Sequence, residues 1–254
     1  MNIIGIIPAR MGSSRFPGKP MKKIHGMPMI GHCYKRSKMS DLLDEVYVAT
    51  CDTEIYDYIT GLGGKAVMTA DNHERASDRT AEALLKIEKD TGERVDIVVM
   101  LQGDEPMITP DMIQSAVNPL LQDQTIKISN LYADIHSVEA FEDPNEVKVV
   151  VDKNDFAIYF SREPIPSRKK GVLDGPMLKQ VCIIPFDRDY LLEYNNMEQT
   201  PLEIIESVDM MRIIENGMKV KMIYTPKETY AVDNEDDLKL VVDKMKSDPL
   251  LGDY

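Results

Sequence analysis

A short loop near the start of the chain concentrates positive charge. Arg10, Arg15 and Lys19 lie among glycine, serine and proline residues, directly after an apolar run that ends at Pro8. Glycines let a backbone approach an anion closely, and basic side chains supply the charge that a carboxylate or a triphosphate requires. The loop matches neither the GxxxxGK[ST] phosphate loop nor GxGxxG, and a polar surface loop paired with acidic neighbours is the alternative. We interpret it as a polyphosphate-binding loop.

Carboxylates stand next to two later predicted elements. Asp104 and Glu105 follow the apolar run at 96–101, and Asp233 precedes the last predicted helix. Mg²⁺ takes oxygen ligands and usually keeps waters and substrate phosphates, so these side chains suit it. A turn at Asp104 and Glu105, and a helix N-cap at Asp233, are the alternatives. Together with the basic loop, the carboxylates favour metal-assisted phosphoryl or nucleotidyl transfer.

Histidine and cysteine do not supply a second candidate site. The four histidines are scattered, and no set of nucleophile, base and orienting group can be assembled from them. The three cysteines have no metal-ligand spacing, and their odd number suits buried thiols in a reducing cytoplasm. The chemistry is therefore expected at the basic loop and the carboxylates.

Composition and charge narrow the class of protein. The chain has 254 residues, 43% of them hydrophobic, and a formal net charge of −13. The hydrophobic content is ordinary for a globular protein. The negative net charge argues against a broad nucleic-acid or membrane-surface footprint. No apolar run approaches the roughly 18 residues of a membrane span, and the N-terminus does not read as a signal peptide. We expect a cytoplasmic protein with no nucleic-acid or membrane partner.

Strands and helices alternate in the first half of the chain. Strands are predicted at 3–7, 45–49 and 96–101, and helices at 29–38, 55–62, from Ser77 and from Pro110. The run at 96–101 is almost wholly apolar, as in a strand buried on both faces of a parallel sheet. This rhythm indicates a doubly wound α/β sheet, in which ligands bind beyond the carboxyl ends of the strands. The basic loop and Asp104 would lie at that edge.

The second half is less regular. One helix is predicted over 200–217, because Thr200 and Glu203 form a capping-box pattern and Gly217 provides a C-terminal signal. No repeat or clean linker divides the chain, so we expect a single domain over 1–254 with an inserted lobe at approximately 130–225. The other elements predicted here are strands at 128–133, 148–151, 180–186 and 219–224, and a last helix at 234–246.

Several blocks of sequence occur together in an order typical of one enzyme family. They are IIPARMGSSRFPGKP (6–20), QGDEP (102–106), DPNEVKVVVD (143–152), YFSREPIP (159–166), TPLEIIE (200–206) and VDNEDDL (232–238). With these blocks the chain resembles the 3-deoxy-manno-octulosonate cytidylyltransferases, relatives of the CMP-sialic acid synthetases. The match runs nearly from end to end, so the resemblance is specific for the fold and the type of reaction.

The resemblance implies both a fold and a reaction. The fold would be α/β, a Rossmann-like nucleotidyltransferase fold with a mostly parallel central sheet and a smaller inserted dimerisation lobe. The reaction would be Mg²⁺-dependent transfer of CMP from CTP to a small acidic acceptor, with release of pyrophosphate, in lipopolysaccharide biosynthesis. The implied partners are CTP, an acceptor such as a keto-acid sugar, and a second copy of the chain in a homodimer.

The resemblance also implies roles for individual residues. Arg10, Lys19 and Asp104 would be catalytic, the two basic side chains holding the triphosphate. Asp104 and Asp233 would bind Mg²⁺. Nucleotide-binding residues would be Ala9, Arg10, Ser13, Ser14, Arg15, Lys19, Ser77 and Gln102. Residues toward the acceptor would be Gln102, Arg162, Gln180, Glu206 and Asp209.

Three departures from the family pattern fall at the ligand sites. The family's Ser-Gly-Thr near the cytosine is Arg75-Ala76-Ser77, its His-x-Gly-x-Tyr-x-Tyr strand is QVCIIPF at 180–186, and its Glu-Gln pair is Asp209-Met210. The last two changes remove a histidine, a tyrosine hydroxyl and an amide from the acceptor site. A site built to bind hydroxyls discriminates strongly, so we expect an altered acceptor. A modified keto-acid sugar, a phosphonate or another small acid are the alternatives.

Two other functions remain open from the sequence. A nucleotidyltransferase for a different nucleotide or a non-sugar acceptor is one, suggested by the altered segment at 75–77. A non-catalytic nucleotide-binding or regulatory protein on the same fold is the other. Against the latter stand Arg10, Lys19, Asp104 and Asp233, of which a degenerate relative should have lost some.

Overall fold

The structure is a computed structural model that describes residues 1–12, 16–172 and 174–254. The strands are β1 (Ile3–Ala9), β2 (Lys23–Ile24), β3 (Met27–Pro28), β4 (Glu45–Thr50), β5 (Lys65–Met68), β6 (Ile97–Leu101), β7 (Ser129–Asp134), β8 (Lys148–Val151), β9 (Ala157–Ser161), β10 (Leu178–Val181), β11 (Ile183–Asp187) and β12 (Lys221–Tyr224). The helices are α1 (Met29–Lys38), α2 (Thr53–Gly61), α3 (Ala76–Thr91), α4 (Pro110–Gln122), α5 (Val138–Glu142), α6 (Arg188–Asn195), α7 (Pro201–Glu206), α8 (Met210–Glu215) and α9 (Glu235–Lys244). Short 3₁₀ segments cover Lys19–Met21, Met245–Ser247 and Pro249–Gly252.

A five-stranded sheet of order β11-β6-β1-β4-β5 forms the centre of the fold. Its strands are parallel except β11, which runs antiparallel to β6. Every residue of β1 is buried, and its side chains alternate between two apolar clusters. Ile3 and Ile7 pack in the cluster that includes α1 and α4, whereas Ile4 and Ile6 pack in the cluster that includes α3. The predicted α/β fold with a mostly parallel central sheet is confirmed.

The parallel pairing brings the ends of β1 and β6 together. Ile3 is in register with Ile97 and Ile6 with Met100, so the two strands end at the same edge of the sheet. The basic loop follows β1, and Asp104 follows β6. Two segments that are far apart in sequence therefore meet at the edge where α/β sheets bind ligands.

A second five-stranded sheet has the order β12-β7-β10-β8-β9. Its strands lie between residues 129 and 224, but β11 lies in that range and belongs to the central sheet. The single strand predicted at 180–186 is therefore wrong. Val181 pairs with β7 and Ile183 with β6, so the chain changes sheets at Cys182. Both strands bury apolar side chains, so the sequence shows one unbroken apolar run. The inserted lobe at 130–225 stays a prediction.

The single helix predicted over 200–217 is also wrong. It is two helices, α7 and α8, separated by residues 207–209, of which Ser207 has a left-handed φ of 52°. The N-terminal pattern is present, since Thr200 N donates to Glu203 Oε2 at 3.3 Å. The break exposes carbonyl groups that a continuous helix would use internally, and Arg162 binds those of Glu206 and Ser207. A tertiary contact thus supports the interruption.

The other helices differ from their predicted bounds mainly at their ends. α1 has the predicted bounds, and α4 begins at Pro110 with Thr109 as its N-cap. α3 begins at Ala76 with Arg75 at the N-cap, so Ser77 lies inside the first turn. Within the described ranges, no helix is long and apolar enough to cross a bilayer.

Candidate active site

The loop after β1 is tied down on both sides of the segment at 13–15. Met11 N donates to Asp52 Oδ2 at 2.7 Å, which fixes the loop to the segment after β4. Gly18 N donates to Met11 O at 3.1 Å, and Gly18 has a φ of 70°, a conformation that favours glycine. Lys19 follows this turn directly, so its backbone position is set. Three predicted nucleotide-binding residues lie outside the described residues: Ser13, Ser14 and Arg15.

Lys19 connects the two predicted metal ligands. Its Nζ lies 2.7 Å from Asp104 Oδ2 and 3.2 Å from Asp233 Oδ1. A backbone bond from Val232 N to Asp104 O, at 3.0 Å, holds the segment before α9 against the segment after β6. The structure thus brings together a lysine and two carboxylates predicted from three separate parts of the sequence. We call these three residues the Lys19 cluster.

The electrostatics of the Lys19 cluster favour a cation between the carboxylates. Burial disfavours the charged form of Lys19, but Asp104 and Asp233 outweigh this effect and raise the pKa of Lys19. The side chains of the three residues are only 13%, 26% and 17% exposed, so solvent screens their interaction incompletely. The two carboxylates therefore form a preorganised cation-binding pair.

A first cavity lies between the β1 loop and the start of α3. Arg79 lines it and is 3% exposed. Arg79 Nη1 donates to Thr69 and Ala70, whereas Nη2 is buried without a hydrogen-bond partner among the described residues. A buried guanidinium donor without an acceptor is costly, so a ligand oxygen would be well placed there. The lining also includes Pro8, Ala9, Arg10, Gly12, Lys19, Pro20, His73, Glu74, Arg75, Ala76, Gln102, Gly103 and Asp104.

A second cavity adjoins the first at Gln102 and Asp104. Both cavities are lined by these two residues and by the segment 74–76. The second cavity extends from there to the second sheet and to the break between α7 and α8. Asp233 also lines it, so the Lys19 cluster lies where the two cavities meet. This arrangement can hold two substrates on either side of a bound cation.

Glu105 faces the second cavity rather than Lys19. It is 8% exposed. Burial raises the pKa of Glu105 to about 8; Lys179 opposes this shift and Asp104 adds to it. Of the neighbouring acids Asp104 and Glu105, the structure therefore places Asp104 in the cluster with Lys19 and Asp233.

Comparison with known proteins identifies the family. The profile of the family described as Cytidylyltransferase matches residues 4–220. The chain belongs to the cytidylyltransferase family. It is 39% identical over 255 residues to the 3-deoxy-manno-octulosonate cytidylyltransferase of Geobacter metallireducens, covering 96% of this chain and 98% of that protein. The corresponding protein of Fusobacterium nucleatum subsp. nucleatum is 41% identical over 247 residues, with 97% and 98% covered.

A solved structure agrees with this assignment. The structure of CMP:2-keto-3-deoxy-manno-octonic acid synthetase complexed with CTP matches this cytidylyltransferase with a TM-score of 0.88. The two are 36% identical, and the match covers 97% of this chain and 99% of the other. The predicted family resemblance, the Rossmann-like nucleotidyltransferase fold and the enzyme class are thereby confirmed.

Arg162 and Glu206 join the second sheet of the cytidylyltransferase to the break between α7 and α8. Arg162 Nε donates to Glu206 O at 2.7 Å, Nη1 to Pro144 O at 2.7 Å and Nη2 to Ser207 O at 3.2 Å. The Glu206 carboxylate accepts from Ser161 Oγ and Arg162 N, each at 2.9 Å. Within the described residues, the lining of the second cavity includes Arg162 but not Glu206. Their contact with an acceptor stays a prediction.

Gln180 and Asp209, also predicted to face the acceptor, both line the second cavity of the cytidylyltransferase. Gln180 Nε2 donates to Asn130 Oδ1 at 2.6 Å. Asp209 Oδ2 accepts from Ser77 Oγ at 3.0 Å, and Asp209 Oδ1 lies 3.3 Å from Arg75 Nη1. Burial raises the pKa of Asp209, against the effects of Arg75 and Ser77. Ser77 is fully buried, so its predicted contact with the nucleotide stays a prediction.

Several charged residues at these cavities have no role predicted from the sequence. They are Arg79, Glu146 and Lys179, together with Arg75, which stands out in the sequence only as a departure from the family pattern. Lys179 Nζ binds Glu146 Oε1 at 3.0 Å and Thr229 O at 3.2 Å. The sequence contains a signal for Arg75 and Arg79, because they lie one helical turn apart at the start of a helix that follows a parallel strand.

Proposed function

We propose that this cytidylyltransferase uses Mg²⁺ to transfer CMP from CTP to a small keto-acid sugar such as 3-deoxy-manno-octulosonate. The observation that carries the proposal is the Lys19 cluster at the junction of the two cavities. The first cavity is lined by basic side chains suited to a triphosphate, among them Arg10, Lys19 and Arg79. The second cavity offers room for an acceptor beside the same carboxylates.

Asp104 and Asp233 fit an Mg²⁺ ion. Each places a carboxylate oxygen within 3.2 Å of one cationic nitrogen, so together they can hold a single cation. The described part of the chain contains no group of three or more side chains that could hold a metal. Water and phosphate oxygens would therefore complete the coordination, as is usual for Mg²⁺. When bound, the ion would neutralise phosphate charge and polarise the α-phosphorus.

The protein side chains would act by position and charge. Arg10 and Lys19 would bind triphosphate oxygens and stabilise the charge that grows on the leaving group. Arg79 Nη2 would donate to the nucleotide. The acceptor's anomeric hydroxyl oxygen would form a bond to the α-phosphorus while the bond between that phosphorus and the α–β bridging oxygen breaks. The hydroxyl proton would pass to water, and the electron pair of the broken bond would leave with pyrophosphate.

The class of acceptor is supported by the relatives and refined by the second cavity. Relatives of 39% and 41% identity carry the name 3-deoxy-manno-octulosonate cytidylyltransferase. The departures at Gln180 and Asp209 change the polar groups that line the second cavity. Because unpaired polar groups penalise the wrong substrate, these changes favour a modified keto-acid sugar, a phosphonate or another small acid as the alternative acceptor.

Pyrophosphate release tests the proposal. The purified chain is incubated with CTP, Mg²⁺ and a panel of acceptors: 3-deoxy-manno-octulosonate, a related keto acid, a phosphonate and a neutral sugar. We expect pyrophosphate and a CMP conjugate with at least one acid, and neither with the neutral sugar. CTP binding without pyrophosphate release with any acceptor would count against an enzyme. When CTP is replaced by each of the other nucleoside triphosphates, equal release with all four would count against CTP as the donor.

We also propose a cytoplasmic homodimer. Unpaired cysteines suit a reducing compartment, and the three cysteines here are free. Exposed isoleucines on β9 and α7 (Ile158, Ile204 and Ile205) offer apolar surface to a second copy of the chain. Sedimentation of the wild type and of an Ile204→Lys, Ile205→Lys double variant tests the dimer. A wild type that sediments as a monomer would contradict it.

A further inference from the structure

We infer that Arg75 binds the anionic group of the acceptor and determines the preference of this enzyme for an acid. The inference rests on the proposed function and deepens it, because it assigns one residue to the acceptor's negative charge. Arg75 lines both cavities, and its side chain is 20% exposed. A ligand in the second cavity can therefore reach it.

An acidic ligand in the second cavity needs a basic side chain as its partner. The described lining of this cavity holds more carboxyl groups than cations. Even with Asp104 and Asp233 bound to Lys19 and with Glu105 set aside, the acids Glu74, Glu146 and Asp209 oppose a negative ligand. The carboxyl groups of the lining are Glu74, Asp104, Glu105, Glu146, Asp209 and Asp233, and its cations are Arg75, Arg162 and Lys179. An anionic substrate must therefore meet a basic side chain whose N–H groups are still available.

Two of the three cations are already committed to protein groups. Arg162 donates from Nε, Nη1 and Nη2 to three backbone carbonyls. Lys179 Nζ binds the Glu146 carboxylate and a backbone carbonyl. These contacts fix the walls of the cavity and leave each group with reduced capacity for a ligand.

Arg75 differs from both. Within the described part of the chain, its polar contacts run through Nη1, which lies 3.3 Å from Ser207 Oγ and 3.3 Å from Asp209 Oδ1. Its Nε and Nη2 have no hydrogen-bond partner among the described residues. This pair of nitrogens is an edge of the guanidinium that can bind a carboxylate or phosphonate through two parallel hydrogen bonds. The long contacts to Ser207 and Asp209 orient the side chain without using that edge.

Arg75 and Asp209, which form an ion pair, both lie at positions where the chain departs from the family pattern. Arg75 replaces a serine and Asp209 a glutamate in that pattern. The structure joins the two departures directly, and Ser77 Oγ holds the Asp209 carboxylate from the other side. We therefore interpret Asp209 as a positioning residue for Arg75, and the pair as one coordinated change in the acceptor site.

Kinetics after removal of the charge from Arg75, and separately from the acceptor, test the inference. The kinetics of the wild type, Arg75→Gln and Arg75→Lys are measured with the best acidic acceptor of the panel and with its carboxamide. Arg75→Gln should raise the KM for the acid about 10- to 100-fold, the loss expected for a charge-assisted contact. The KM for CTP should not change. The wild-type preference for the acid over the carboxamide should largely disappear in Arg75→Gln and be partly kept in Arg75→Lys.

Arg94→Gln is the matched control. Arg94 forms an ion pair with Asp189 at 2.7 Å, with side chains 60% and 65% exposed, and neither residue is among the described lining of the two cavities. It should behave as the wild type. If Arg75→Gln instead keeps the preference for the acid, or loses only kcat or affinity for CTP, the inference is wrong.

A binding measurement separates this inference from the proposed function. Calorimetric titration of the acids into protein saturated with Mg²⁺ and a non-hydrolysable CTP analogue requires no turnover. Acid binding that depends on Arg75, in a protein that releases no pyrophosphate, would overturn the proposed function and support the inference. Turnover with a preference for the acid that does not depend on Arg75 would support the proposed function and overturn the inference. A wild type that binds none of the acids would overturn the inference as well.

Discussion

Replacing Lys19 with methionine perturbs the centre of the proposed metal–nucleotide site. Methionine keeps an unbranched apolar side chain and removes the ammonium group. Asp104 and Asp233 then lose the cation that lies 2.7 and 3.2 Å from their oxygens. Two partly buried carboxylates would then lie close together without the ammonium between them, and a divalent cation can take its place.

The contacts of Lys19 set the size of the effect. A hydrogen bond to a charged group contributes about 1.5–3 kcal/mol net, and Lys19 makes two of them. Burial of the ammonium opposes this gain, and the 26% exposure of Asp104 adds solvent screening. We therefore expect Lys19→Met to lower the free energy of unfolding by about 1–3 kcal/mol in the absence of divalent cations. Mg²⁺ should restore more stability to the variant than it adds to the wild type, because no ammonium competes for the carboxylates.

Urea unfolding with EDTA and with Mg²⁺ measures the stability, and pyrophosphate release measures turnover. Turnover of Lys19→Met should fall roughly 10²–10³-fold, as for loss of one group that stabilises charge in a transition state. Lys23→Met, at an exposed position on β2, is the control and should match the wild type in both assays. Equal stabilisation of the wild type and Lys19→Met by Mg²⁺, or near-normal turnover of the variant, would refute the reasoning.

Two further predictions concern stability. Glu203 and Arg212 form a buried pair, with oxygen–nitrogen distances of 2.7 and 2.6 Å and exposures of 0% and 3%. Glu203→Gln should therefore cost about 3–5 kcal/mol in urea unfolding, and a cost near zero would contradict this account of the pair. Burial lowers the pKa of His32 below 6.5, so neutral His32 contributes stability that is present above pH 6.5 and lost as the pH falls through its folded pKa. The unfolding free energy should thus decrease below pH 6.5 by up to about 1.4 kcal/mol per pH unit from this residue, and His32→Asn should reduce that slope. An unchanged slope would show that other groups are responsible.

The elements predicted best from sequence are those whose local pattern and tertiary environment agree. α1 has its predicted bounds, and β1 and β6 are fully buried strands as their apolar runs indicate. The failures arise where a non-local contact decides the structure. Cys182 lies inside one apolar run, and only the partners of its neighbours show that the chain changes sheets there.

The candidate site shows the same division. Lys19 and Asp104 could be chosen from sequence because the parallel strands β1 and β6 bring their ends to one edge. Asp233 could be chosen with them as a carboxylate before the last helix, and a backbone bond from Val232 to Asp104 brings it to that edge. The contact between Arg75 and Asp209 could not be predicted, since 134 residues separate these positions and neither belongs to a recognisable motif of charged residues. The commitment of the Arg162 nitrogens to backbone carbonyls is likewise a property of the fold, created by the break at Ser207.

The most direct test of the central claim is pyrophosphate release by Asp104→Asn. The assay contains CTP, Mg²⁺ and 3-deoxy-manno-octulosonate or the best acid of the panel, and circular dichroism checks that each variant is folded. Asp111→Asn, an exposed aspartate in the first turn of α4, is the matched control. The account predicts release by the wild type and Asp111→Asn at equal rates, and none above background by a folded Asp104→Asn. Near-normal release by Asp104→Asn would contradict the claim that the Lys19 cluster is the site of cytidylyl transfer.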